Sequence, residues 1–516
     1  MDKTRMKTDK VNLGVLHKNE QYEKDMIDVA SFLHKYVPGH DEASSSKPVK
    51  ILSGGDYLTF ERHKEAQSAM QDARTPSARL EGLIPEAGGL SHTNGVDAMH
   101  IQHQHNDKVI WNHLYNTGSA RDAGALYAMR NAIDARNVSN DPHNRYYAAS
   151  EFLDKVTDAY LINGALEHFG MTAVDGECIR NIHTGVALDE DEKNKFAIKV
   201  ITDFLDEHVI YSIPELPDTA WLCPDLKCGV CGKAYKRPSY LKKHEEMHDI
   251  YESVRQLPKE KTQGEEDKVR NYTHNLLVML LLHLNHNDAI KLADGPCVIR
   301  IYKYFCLYFK VSNCPKYAFA MLQLQAQVNC LLSRRLAHSL IRNRFVNHQG
   351  KVDTNHPMDL EIEHDNKSFK SDCHSYRGVI TEKTTNRLGR STVPSDAVLH
   401  NFDDISNVKK PSGKHTFTST EQDVLTLVDH LIQAKVFSNT PGRAHSAFDD
   451  IPNNLLGSID WENLKTWIGQ FRQKTLLQNL TFSYSGTLQL CSTDYICLCQ
   501  NESNNKNISS FLILYL

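Results

Sequence analysis

Two cysteines and two histidines in one short stretch carry the most readable chemistry in this chain. Cys228-Gly-Val-Cys231 is followed after twelve residues by His244-Glu-Glu-Met-His248, the pattern C-x2-C-x12-H-x3-H. Two thiolates from a tight turn and two neutral imidazoles can close a tetrahedron around one Zn²⁺. Such a site has no open position and no redox change, so the ion's role is structural. His244 and His248 stand four residues apart, on one face of a predicted helix that Pro238 is suited to begin. Tyr235 and Leu241 supply the small apolar core. A module of this size buries too little apolar surface to fold unaided, so metal binding supplies its folding free energy. Cys223 falls outside the spacing and reads as a free thiol.

This is the spacing of a Cys₂His₂ zinc finger, and it predicts a small ββα unit over residues 221–250. The helix positions that read bases in such units fall on Arg237, Tyr240 and Lys243, with Lys236 beside them. Arg237 is suited to a bidentate contact with guanine. From Lys227 to His248 there are six Lys or Arg and two Glu, a local +4 on a chain of formal charge −5. That local excess suits phosphate contact. A single finger reads about three base pairs. DNA, RNA and protein all remain open as its target.

Composition bounds the rest. The chain has 516 residues, 40% hydrophobic and 24% charged, as expected of a globular protein of several structural units. A net charge of −5 excludes a chain that is basic throughout. The twelve cysteines are scattered, and only Cys228 and Cys231 pair with downstream histidines, which argues for a reducing compartment rather than a disulfide framework. Nothing at the start reads as a secretory leader. The apolar stretch Leu276–Leu284 is nine residues long, against the roughly 18 or more a bilayer requires. We therefore expect no membrane association and a nuclear or otherwise cytoplasmic protein that is not secreted.

Along the chain the pattern predicts a helix over about 25–36, a short buried strand at Val49–Leu52, a helix from Tyr57 to about Ala73 and an ordered loop from Arg74 to His92. Helical periodicity returns over 97–135 and 146–170. A second helical block covers about 269–345, where Met321, Leu324, Val328, Leu331 and Leu332 recur at three- and four-residue steps. Gly350–Pro357 breaks it, 385–420 reads as polar and turn-rich, and helices are expected at about 421–437 and 460–478. The expected units are 1–217, the finger at 221–250, a helical second half at 265–385, a polar segment with helices at 386–480, and a tail at 481–516 outside the packed fold. The fold class is α+β, predominantly α-helical. The group His100, His103 and His105 reads as a solvated polar segment.

Several segments resemble a family of large eukaryotic proteins known as domain of unknown function 6589. They are Gly55-Asp-Tyr-Leu-Thr59, Arg79-Leu-Glu-Gly82, Trp111-Asn-His-Leu-Tyr115, Ser119-Ala-Arg-Asp-Ala-Gly124, His168-Phe-Gly-Met171, Tyr317–Gln327 and Asp359-Leu-Glu-Ile-Glu363-His-Asp-Asn366. The resemblance spans about 25–385, interrupted by the finger. It implies descent from a cut-and-paste transposase with a ribonuclease-H-like core. Such a core places three carboxylates around two Mg²⁺ or Mn²⁺ ions that activate a water or 3′-hydroxyl. The candidates here are Asp56, just past a predicted strand, Glu363, and Asp294 beside Gly295-Pro296. Each also has a plain structural reading. Asp56 after Gly-Gly can form an Asx-turn or cap a helix, and Asp359 and Glu363 can complement a helix dipole. No first-strand aspartate precedes Asp56, so either the N-terminus is truncated or the core is degenerate and holds no active triad.

Three functions follow. The first is a zinc-finger protein of transposon descent that associates with nucleic acid without catalysis. The second is a metal-dependent nuclease or transposase using Asp56 and Glu363. The third is an interaction scaffold, which requires an exposed apolar groove along 269–345. The first accounts for the most residues, and the enzyme reading is the weaker one.

Overall fold

The Asp267 side chain accepts hydrogen bonds from the backbone N–H groups of Val269 and Arg270, at 3.1 and 3.0 Å, and so starts the helix Lys268–Lys291. The helix ends where Ala293 takes a left-handed φ of +54°. Asp294 opens the next helix at once, its Oδ1 accepting from the Cys297 N–H at 3.0 Å. Gly295 is needed there, because a Cβ would lie 2.1 Å from the Ile341 carbonyl oxygen.

A computed structural model describes residues 6–19, 21–41, 43, 46–55, 57–86, 125–135, 138, 146–182, 189–209, 266–311, 315–347, 349–408, 420–445, 451–454, 456 and 459–481. In chain order these hold α1 (Glu23–His34), β1 (Ile51–Ser53), α2 (Tyr57–Ala69), β2 (Leu83–Pro85), α3 (Leu126–Ala132), α4 (Tyr146–Phe169) and α5 (Glu190–His208). Then come α6 (Lys268–Lys291), α7 (Gly295–Val311), α8 (Pro315–Ala326), a π-helical turn (Gln327–Leu331) and α9 (Arg334–Arg342). The series closes with β3 (Phe345–Asn347), β4 (Asn355–Pro357), α10 (Met358–Ser375), α11 (Glu382–Ile405), α12 (Thr420–Ala434) and α13 (Trp461–Thr481). The protein is predominantly helical with few strands. No helix among the described residues is long and apolar enough to cross a membrane.

The main core lies between α4, α6, α7, α8 and α12. Tyr160, Tyr272, Leu276, Tyr302, Phe309, Leu322 and Leu427 are fully buried in it, and α3 and α13 close it with Leu126, Met129, Leu464 and Phe471. Burying aromatic and aliphatic side chains of this size contributes about 1.5–3 kcal/mol each. Two ion pairs tie distant segments across its surface. Lys155 of α4 meets Asp423 of α12 at 2.8 Å. Arg443 grips Asp267 through two bonds, Nε to Oδ1 at 2.9 Å and Nη2 to Oδ2 at 2.7 Å. A smaller core joins Ala30, Val37, Leu80 and Leu83 between α1 and the β1–β2 pair.

Strands β1 and β2 run parallel, with Ile51 opposite Leu83 and Ser53 opposite Pro85, and α2 forms the crossover between them. β3 and β4 form an antiparallel hairpin, with Val346 opposite His356. Helix α9, which leads into β3, packs on β1, and Arg335 Nη2 donates to the Lys50 carbonyl at 2.5 Å.

Three expectations are corrected. The loop expected from Arg74 to His92 contains β2, which is three residues long and has no local strand signature; pairing with β1 makes it a strand. The stretch expected to be polar and turn-rich contains α11, 24 residues long with Pro394 inside. Thr381 caps it by accepting from Thr384 N–H at 3.2 Å, and Thr392 donates to Asp372 of α10 at 3.0 Å, so pairing with α10 supports a helix its polar composition concealed. The buried strand expected at Val49–Leu52 is shifted to Ile51–Ser53 and is only half-buried. Residues 221–250 lie outside the described part, as do 97–124 and most of the tail.

Candidate functional site

Three segments far apart in sequence meet where β1 ends, β2 ends and α10 begins. Gly54 marks the meeting point: a Cβ there would lie 2.6 Å from Glu86 Oε1 and 3.2 Å from the Met358 methyl carbon. A side chain there would push the ends of the Glu86 and Met358 side chains aside. Glu86 follows β2 directly, its N–H donates to the Ser53 carbonyl at 3.0 Å, and its side chain is buried. Gln327, in the π-helical turn, reaches the Pro85 carbonyl at 2.8 Å and braces the same strand end. The carboxyl ends of parallel strands are where open α/β sheets place ligands.

The first turns of α10 also carry a charged cluster. Glu361, 6% exposed, accepts from His356 Nε2 at 2.7 Å on its Oε2. Its Oε1 accepts from the Lys10 ammonium. Lys10 also pairs with Asp365 at 2.7 Å, and His364 Nδ1 lies 4.0 Å from Glu361 Oε2. The ligand atoms of His356, Glu361 and His364 all fall within 4.8 Å of one another. The hydrogen bond from His356, aided by Lys10, holds the Glu361 carboxyl down at about 2 despite its burial. Burial works against the Lys10 charge, but its bonds to Asp365 and Glu361 prevail and raise its pKa.

The chain reaches this arrangement by simple means. Thr8 bonds to Asn347 in both directions, N–H to carbonyl at 2.8 Å and Oγ1 from Asn347 N–H at 3.0 Å, which lays the N-terminal arm along β3. That sets Lys10 over α10. The hairpin delivers His356, and Pro357 ends β4 with the extended backbone that precedes the helix. Glu361 and His364 are three residues apart and so share a face of α10.

Of the residues singled out in the sequence, Cys228, Cys231, His244, His248, Lys236, Arg237, Tyr240 and Lys243 lie outside the described residues, as does Asp56. Glu363 lies on α10, with its side chain outside the described part. Asp294 is engaged as the cap of α7. The meeting at Gly54 brings the segment leading to Asp56 against Met358, the residue before Asp359. Sequence reasoning missed Lys10, Glu86, His356, Glu361 and Asp365. The Glu361-x-x-His364 step was visible inside the Asp359–Asn366 motif. Lys10, separated from Glu361 by 351 positions, had no local signal.

Comparison with known proteins returns a family: the profile of the family of unknown function DUF6589 matches residues 3–415. No curated protein and no solved structure matches the chain.

Proposed function

The chain belongs to the family of unknown function DUF6589, and from that premise we propose that it is a transposon-derived zinc-binding protein that associates with nucleic acid in the nucleus. The observation that carries this is the C-x2-C-x12-H-x3-H spacing of Cys228, Cys231, His244 and His248 inside a stretch of local charge +4. Those four residues would hold a structural Zn²⁺, whose donor set of two thiolates and two imidazoles suits zinc over hard cations. Arg237, Tyr240, Lys243 and Lys236 would then face phosphates and base edges. Binding of the full chain to duplex DNA and to RNA should be lost on zinc chelation and in Cys228→Ser. Retention that survives both changes would sink the reading.

A second reading, metal-dependent strand cleavage, is favoured by the contact of Gly54 with Glu86 and Met358. It adds Glu86 to Asp56 and Glu363 as carboxylates for Mg²⁺ or Mn²⁺. Its test is strand cleavage with either ion: activity should vanish in Asp56→Asn and Glu86→Gln, and cleavage undiminished in both would exclude it. A scaffold role has less support. Leu292 is the one large apolar side chain exposed along 269–345 among the described residues, so the groove it requires is not seen there.

A further inference from the structure

We propose that His356, Glu361 and His364 form a mononuclear site for a divalent transition-metal ion, with zinc the best match to the donors. The site is separate from the Cys₂His₂ motif. Two imidazoles and one carboxylate are a recurrent ligand set for open zinc sites, and imidazole donors select transition metals over Mg²⁺ and Ca²⁺. The geometry is close to what an ion needs. Ligands held at about 2.0–2.2 Å in a tetrahedron lie roughly 3.3–3.5 Å from one another. His356 Nε2 now lies 2.7 Å from Glu361 Oε2, and His364 Nδ1 lies 4.0 Å from it. An ion entering between them takes the Nε2 lone pair, so His356 gives up to solvent the proton it donates to Glu361. That pair then opens by less than about 1 Å, and since all the ligand atoms lie within 4.8 Å no pair has to close by more than about 1.5 Å, which side-chain torsions can supply.

The surroundings favour the ion as well. Lys10 takes Oε1 of Glu361, which leaves Oε2 turned to the histidines. Its second bond, to Asp365, holds the ammonium in place. Lys10 is thus a positioning residue that orients a ligand from the outer shell. Two carboxylates and one ammonium sum to −1, so a dication is attracted rather than repelled. The His364 side chain is 54% exposed and that of His356 22%, so the cluster opens to solvent. His356 comes from β4, Glu361 and His364 from α10, and Lys10 from the N-terminal arm. A bound ion would therefore clamp hairpin to helix, while Lys10 ties the arm to the same carboxylate.

The test uses the full chain carrying Cys228→Ser and Cys231→Ser, which removes the thiolates of the finger. Zn²⁺ stoichiometry after dialysis should be one per chain, and Co²⁺ should give the visible absorption of a tetrahedral site without a thiolate charge-transfer band. Adding His364→Gln, an exposed position where folding should be unaffected, should reduce the stoichiometry to zero. Adding Lys10→Met instead should weaken the affinity roughly tenfold or more. Circular dichroism checks that each variant is folded. No zinc in the thiolate-free chain, or a stoichiometry that His364→Gln leaves at one, would overturn the proposal. A wild-type chain that binds one ion, kept by the thiolate-free variant, would instead count against the finger.

Discussion

Histidines do opposite work in two regions of this molecule. In α6, His274, His283 and His286 are buried in the apolar core, and burial pushes them to about 3, 4 and 3 respectively. They are neutral aromatic filler there. His286, for instance, packs against Tyr302 and Phe305 at centroid distances of 5.6 and 5.5 Å. At the start of α10, His356 instead donates to an ionised carboxylate, with a lysine and a second histidine around it. The residue type is the same. The lesson is that a histidine's chemistry follows from what it is packed against: apolar walls suppress its charge, whereas a carboxylate gives it a partner and a role as a ligand.

The largest test of this contrast is acid. Each α6 histidine titrates lower in the folded chain than its ordinary 6.5, so the unfolded chain binds more protons between the two values. Stability should therefore be full above pH 6.5 and fall as pH drops from there toward 3, at about 1.4 kcal/mol per pH unit for each histidine. Urea titrations across that range should show the slope, and His286→Phe should remove one proton's share of it. An unchanged slope in that variant would break the comparison.

Next in size is Arg443→Met, which strands the buried Asp267 carboxylate at the head of α6. About 3 kcal/mol should be lost, read as a shift in the urea midpoint. A loss near zero would show that the core does not depend on this tie.

At the junction, Lys10→Met removes both charge-assisted bonds, and about 2 kcal/mol should go with them. The N-terminal arm should become the first site of limited proteolysis. Glu361 sharpens the contrast, because its pKa is depressed rather than merely shifted by burial. Its contribution is full above its ordinary 4.5 and is lost as pH falls through about 2. At pH 5 the core should thus already be weakened while the Lys10–Glu361 tie remains, and protection of the arm at that pH should equal that at pH 7.

The smallest effect is at Asp294, where the core meets one of the acids expected from the sequence. Asp294→Ala should cost about 1 kcal/mol and Asp294→Asn only a few tenths, because Asn also caps helices. A variant Asp294→Asn that kept its stability but lost nucleic-acid cleavage would move the residue from cap to catalyst.

Much of the helical body was legible because its signals are local. Apolar spacing marks α6, α8 and α12, and the structure adds the caps Asp267 and Ser333 at the heads of α6 and α9. The strands were harder. β2 is Leu83-Ile-Pro85 and becomes a strand only against Ile51-Leu-Ser53. α11 was hidden by its composition, since 24 polar-rich residues with an internal proline have no strong apolar period. At the site, the acidic run and His364 were visible together, but nothing in it pointed to Lys10 or to Glu86.

Short spacing carries what can be read from the chain alone. That is the Cys228–His248 pattern from which zinc binding is proposed, the periodicity of the helical body, and the membership in a family whose profile matches residues 3–415. Which distant residues meet is a matter of packing. Gly54 brings Glu86 against Met358, and the arm along β3 sets Lys10 on Glu361 across 351 positions. The physical reason is range. Caps and helical faces depend on neighbours within one turn, whereas an ion pair or a ligand cluster depends on where separate elements stop, and packing alone sets that.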